Sequence, residues 1–450
     1  MQIELKEVNL PEFGLEEVLP DVPSEIYETR CREFYTKAGC DWLVVYADRE
    51  HFANIHYLSA FDPRFEEALL LLGPNQKKYL LLGNECVDYA PVNKINAEVV
   101  LYQSFGLLGQ DRTQAPRLDH ILKDIGMTAA DKVGVCGWKY FEENEKIPSS
   151  SNLFIPAFIV DCLQNLVNTV LVDVTELLLH PTKGMRVYNE AENLAYFEWG
   201  AARSSNAVDQ IVRNVEVGMT EHEAVSNMQF AGEILTAHVM FSADKEKIIG
   251  LSSPSSKAIE FGDGVTTGVG YWGGLSCRAG VIDKQNDKYL NDLAKPYFKA
   301  IAAWYQKATI GATGGEIWNE IVSILDQAGL KSALNPGHQV STDEWMNTIM
   351  KPGSKEKIAS GMAFQCDIIP TPLPDGIGLN CEDSVFFADE ELRAEIKQKY
   401  PSLWERIQRR QQFIREEIGI LIHDDLLPLS NNCAYFSPFW LTPDKVLVVV

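Results

Sequence analysis

The sequence predicts a mixed α/β (α+β) protein of two domains. At 450 residues the chain exceeds the size at which one hydrophobic core goes on growing. Short apolar runs alternate with segments of helical spacing through the first third of the chain, the pattern of a layered α/β domain. Near residue 180 the texture changes to a linker, His180-Pro-Thr-Lys-Gly-Met-Arg, followed by long helical runs. We place the boundary at 184, giving domains 1–184 and 185–450.

Composition narrows the function classes. Apolar residues make up 46% and charged residues 23%, the balance of a soluble globular protein. The net charge of -23 argues against nucleic acid and against an anionic membrane, since phosphate binding needs clustered Lys and Arg. Nine Cys without a CxxC pair read as reduced, buried thiols. The first residues lack the basic start and apolar core of a signal peptide, and no run reaches the roughly 18 apolar residues of a membrane span. A cytoplasmic location is the expectation.

Taken in order, residues 1–24, with Pro11, Pro20 and Pro23, read as an extended arm. Residues 25–38 have helical spacing and stop at Gly39. Trp42-Leu-Val-Val-Tyr46 reads as a buried strand, and Asn54-Ile-His-Tyr-Leu-Ser-Ala-Phe61 as strand or loop, with His56 a satisfied structural residue. Strands follow at 68–72, 78–82, 99–102 and 132–135, with a helix at 118–125. Asn189 and Glu192 have capping-box spacing at the start of a long helix. Val217-Gly-Met-Thr-Glu-His-Glu223 and Ile310-Gly-Ala-Thr-Gly-Gly-Glu316 repeat one punctuation, a Gly stop and then Thr and Glu at capping-box spacing. Beyond residue 388 come two charged amphipathic helices, a polar turn and a Val-rich final strand, which read as completing the sheet, covering the site or building a dimer contact.

Three stretches carry the chemistry. They are Phe261 to Gly280, with no carboxylate from 264 to 282; Asn335-Pro-Gly-His338; and Gly361-Met-Ala-Phe-Gln-Cys-Asp367 with Gly376-Ile-Gly-Leu-Asn-Cys-Glu382-Asp383. Their order resembles the pita-bread family of methionine aminopeptidase, aminopeptidase P, prolidase and creatinase, and Asn54–Phe61 resembles the signature of the creatinase-type N-terminal domain. The resemblance implies a creatinase-like domain over 1–184 and a pita-bread domain over 185–450, extended from about 390. In that family two Asp, one His and two Glu hold two divalent ions, whose bridging water attacks a peptide carbonyl. Carried over by residue, Gly268 stands at the first Asp position, and Gly274 or Leu275 at the second. His338 matches the His, Asp367 replaces the first Glu, and Glu382 matches the last.

One imidazole and two carboxylates do not make a dinuclear site, so no resident metal pair is expected; a single divalent metal ion is the most these donors admit. His338, Asp367 and Glu382 are the catalytic-type residues, and Tyr271, Trp272 and Arg278 the expected ligand-binding ones. Cys277 beside Arg278 reads as a packed strand Cys rather than a thiolate nucleophile, and the serines at 252–256 as a solvated turn. The resemblance implies a divergent X-Pro aminopeptidase- or prolidase-like protein that lacks dinuclear activity, binds a small peptide or amino-acid-like ligand, and forms a homodimer. An active C–N hydrolase with a metal-free or single-metal site and a protein-binding scaffold are the alternatives.

Overall fold

The computed structural model describes residues 1–113 and 115–450. Two compact units result, one of Val22–Val187 and one of Met1–Asp21 with Tyr188–Val450.

In the first unit six strands form a mixed sheet in the order Glu98–Leu101, Lys78–Leu82, Ala68–Leu72, Trp42–Ala47, Val133–Cys136, Val172–Asp173. Every residue of Trp42–Ala47 is buried, as a central strand covered on both faces requires. Trp42, Val44 and Leu71 pack against Ile121, Leu122, Ile159 and Leu163 of the helices Leu118–Asp124 and Ala157–Leu166. The helix Ser24–Ala38 ends on Gly39 at φ 58°, the left-handed cap that glycine adopts without strain.

The segment around His56 differs from the expected strand or loop: Ala53–Ser59 is a helix with all seven residues buried. Tertiary bonds override its β-like composition. Asn54 Nδ2 donates to the Gly137 carbonyl (2.8 Å), Arg186 donates to Asn54 Oδ1 (2.8 Å), and Tyr57 Oη donates to the Met185 carbonyl (2.9 Å). Burial, aided by the charges of Arg30 and Arg186, pushes His56 down to about 3, so its ring stays neutral.

The second unit holds a seven-stranded sheet ordered His338–Gln339, Ala363–Cys366, Cys381–Phe387, Gly274–Val281, Gly264–Tyr271, Met240–Asp244, with Leu426–Pro428 also paired to Cys381–Phe387. The 24-residue helix Ala191–Asn214 lies on the hairpin Gly264–Val281, where Gly200 and Gly274 permit close approach: a Cβ on Gly200 would lie 2.1 Å from the Trp272 carbonyl oxygen. Both repeated Thr–Glu motifs form complete capping boxes, Thr220 with Glu223 and Thr313 with Glu316. Each follows a long helix, Ala191–Asn214 or Lys295–Lys307, in keeping with an internal duplication. The Asn189–Glu192 box does not form. Asn189 Nδ2 instead donates to the Gly361 carbonyl (3.0 Å), and Glu190 takes the cap position.

The N-terminal arm contains a strand, Ile3–Glu7, which pairs antiparallel with Lys445–Val449. The C-terminal segment therefore completes this unit rather than trailing from it. Arg406 and Arg410, on the helix Pro401–Glu416, both donate to Glu198 of Ala191–Asn214, and all three side chains are buried. Among the described residues, no helix is long and apolar enough to cross a membrane.

His56 makes the first unit acid-sensitive in a defined window. Its folded pKa lies below the unfolded value, so the stabilisation is complete above about pH 6.5 and is lost as pH falls toward 3. Urea unfolding of the wild type is expected to lose about 1.4 kcal/mol more than that of His56→Gln between about pH 7.5 and about pH 5.5. Equal losses would show that His56 is not buried in its neutral form.

Candidate functional site

The site begins with strand register. Met240 pairs with Gly268, Gly268 with Cys277, and Cys277 with Glu382, so these four residues form a row across four neighbouring strands. Asp367 follows the Cys366–Asp383 pair just beyond the end of its strand, near enough to Glu382 for the two charges to repel. His338 pairs with Gln365 on the adjoining strand. Its turn needs Gly337, at φ 129° with a Cβ position only 2.8 Å from the Gln365 carbonyl oxygen. The sheet thus brings His338, Asp367 and Glu382 together as one buried group.

The surface loop after His338 adds a residue that sequence reasoning missed. Glu344 Oε1 lies 3.1 Å from His338 Nε2, and Glu382 Oε1 lies 3.5 Å from the same nitrogen. Trp345 stacks on the imidazole with ring centroids 4.0 Å apart and planes at 20°. His338 is fully buried beneath it, while Trp345 is 40% exposed. The only sequence signal was the run Ser341-Thr-Asp-Glu-Trp, in which nothing distinguishes Glu344 from Asp343.

Electrostatics follow from burial and crowding. Burial alone would push His338 down, but the Glu344 and Glu382 carboxylates outweigh it and raise the imidazole to about 10. Burial raises Asp367 well above the ordinary range, reinforced by the Glu382 and Glu344 charges. Glu382 is also raised by burial, against the lowering pull of His338 and the Cys277 thiol. At neutral pH the imidazole is therefore a cation between carboxylates rather than a proton acceptor.

The other half of the row is apolar. Met240, Leu275 and Cys277 pack together with Ala237. A Cβ on Gly268 would lie 2.8 Å from both Cys277 Sγ and Met240 Cε, so a side chain at that position must displace one or both of them. Leu275 fills the space beside Gly270. The described residues therefore do not fit a pair of metal ions, because positions 264–282 supply no carboxylate to this half of the row. Burial holds the Cys277 thiol far above its ordinary range, as its reading as a packing residue requires.

Of the expected ligand-binding residues, Arg278 is buried and bonded throughout to protein acceptors. Its Nε donates to Tyr435 O (2.9 Å) and Nη1 to Cys277 O and Glu382 O (2.7 and 3.1 Å). Nη2 donates to Asp383 Oδ1 (2.8 Å) and to Asn432 O. These five bonds use all five guanidinium donors, leaving none for a ligand. Tyr271 belongs to the helix-facing core with Val208, Ile211 and Val265, while Trp272 forms the hairpin turn under Ala191–Asn214. Neither is brought to the His338 cluster by the row. The 252–256 loop is fixed by Glu221, which accepts from Ser255 N and Oγ (2.8 and 2.7 Å).

A carboxylate at position 268 would be buried against Met240 and Cys277 without a partner. Gly268→Asp is expected to lower unfolding stability by about 2–5 kcal/mol, from overpacking and an unpaired buried carboxylate. A variant as stable as the wild type in chemical unfolding would mean that the apolar half has room after all.

No protein-family model and no curated protein sequence matches the chain. Solved structures do. The prolidase from Pyrococcus horikoshii OT3 superposes with a TM-score of 0.62 at 17% identity, covering 80% of this chain and 95% of that one. Recombinant prolidase from Thermococcus sibiricus gives 0.65 at 14% identity, covering 82% and 96%. A putative aminopeptidase P from Bacillus anthracis gives 0.58 at 11% identity, covering 84% and 99%. The chain has the two-part pita-bread fold of the prolidases and aminopeptidase P.

Proposed function

We propose that this chain is a divergent relative of the X-Pro dipeptidases that binds a small peptide or amino-acid-like ligand without two-metal hydrolysis. The observation that carries the reading is the row Met240–Gly268–Cys277–Glu382, which sets an apolar wall against an acidic, imidazole-bearing cluster. Such a wall takes an apolar side chain or a prolyl ring. The carboxylates of Glu344, Asp367 and Glu382 take the ligand's cationic amino end, and the His338 cation its carboxylate. Trp345 lies over this cluster and must move, or form one wall, when a ligand enters.

Because His338 is held as a cation, it is poorly suited to activate water as a general base, which weighs against a metal-free hydrolase working through this residue. Loss of both Asp positions weighs against the two-metal route by a separate argument. The cytoplasmic location and the homodimer remain part of the proposal; a monomer mass in sedimentation equilibrium would remove the dimer.

Calorimetry with Gly-Pro, Ala-Pro and Met-Pro in the presence of EDTA is expected to give saturable binding, with affinity reduced about tenfold or more in His338→Ala. Mass spectrometry of the same mixtures should show intact dipeptide. Turnover that rises with two equivalents of manganese would overturn the reading.

A further inference from the structure

The geometry points to a single-ion site for a divalent first-row cation, built from His338, Glu382 and the loop residue Glu344. Two donors bound at about 2.0–2.1 Å to a tetrahedral ion lie roughly 3.3 Å apart. The distances from His338 Nε2 to Glu344 Oε1 and Glu382 Oε1, 3.1 and 3.5 Å, bracket that edge. All three donor atoms lie within 4.8 Å of one another.

Two further observations separate this cluster from an ordinary group of acidic residues. Although 3.1 Å from a carboxylate oxygen, the fully buried His338 Nε2 lacks the alignment of a hydrogen bond. Its other nitrogen, Nδ1, lies 3.3 Å from the Gln339 carbonyl oxygen. A donor bond there keeps a proton on Nδ1, so an ion entering the cluster displaces the Nε2 proton and takes that lone pair. Asp367 is 4% exposed, and its Oδ1 has no hydrogen-bond partner. It supplies a fourth donor, or it orders a water in that position. Imidazole with carboxylate oxygens suits zinc or manganese.

This site differs from the family's pair of ions in both number and ligands. The Asp half is closed by Met240, Leu275 and Cys277, and Glu344 enters from a loop outside the ligand set carried over from the resemblance. The inference stands apart from the peptide-binding reading, since the ion alone is its probe.

The full-length chain, stripped with EDTA and dialysed, would be titrated with zinc chloride and with manganese chloride by calorimetry. One ion per chain is expected, with affinity for the tighter metal weakened at least about tenfold in Glu344→Gln and lost in His338→Ala. Glu344 is 28% exposed and lies on a loop, so its variant should keep the wild-type circular dichroism and ion-free thermal midpoint. Two ions per chain, no binding of either metal at millimolar concentration, or unchanged affinity in Glu344→Gln would each overturn the inference. Peptide binding in EDTA is read independently, so either proposal can fail while the other stands.

Discussion

Much of the larger unit rests on one buried ion pair. Arg278 and Asp383 meet at 2.8 Å with side chains 5% and 0% exposed, a placement that is costly unless every remaining donor and acceptor is satisfied. The fold meets that demand with carbonyls from Cys277, Glu382, Asn432 and Tyr435, while Asp383 Oδ2 accepts from Ala434 N (2.9 Å). The hairpin Gly264–Val281, the strand Cys381–Phe387 and the segment around residue 433 are thereby locked together. Removing either charge would strand the other, at a cost of about 3–5 kcal/mol. Once that lock is set, the Cys277–Glu382 register follows, and with it the row from which the site is made.

The same lock explains why the C-terminal segment is integral. It supplies Asn432 and Tyr435 to Arg278, Arg406 and Arg410 to the buried Glu198, and the strand Leu426–Pro428 to the interior strand Cys381–Phe387. The centre of the sheet carries small and apolar side chains at Gly268, Leu275 and Cys277, while the adjoining strands carry His338 and Glu382 and a loop adds Glu344. The chemistry is thus asymmetric: one wall is polar and crowded with charge, and the other is dry.

The elements with strong periodicity or terminal punctuation were legible in the sequence. The run Trp42–Tyr46, the Gly39 stop and both Thr–Glu boxes each state their structure locally. Asn54–Phe61 was not legible, because its helix is held by Gly137, Arg186 and Met185, partners distant in sequence. Asn189 misled for the same reason, its side chain being drawn to Gly361. At the site, His338, Asp367 and Glu382 could be read from motif order, since strand pairing converts that order into proximity. Glu344 could not, because a loop's approach to the sheet has no period to read. Arg278 looked available because a charged residue in a strand suggests a ligand, while the five acceptors that occupy it come from segments far apart in the chain.

The most direct measurement is anomalous diffraction at the manganese edge from crystals of the full-length chain soaked in manganese chloride. The account predicts a single peak bounded by His338, Glu344 and Glu382, and none beside Gly268 or Leu275. Two peaks about 3.5–4 Å apart, one of them on the Gly268–Leu275 side, would contradict it.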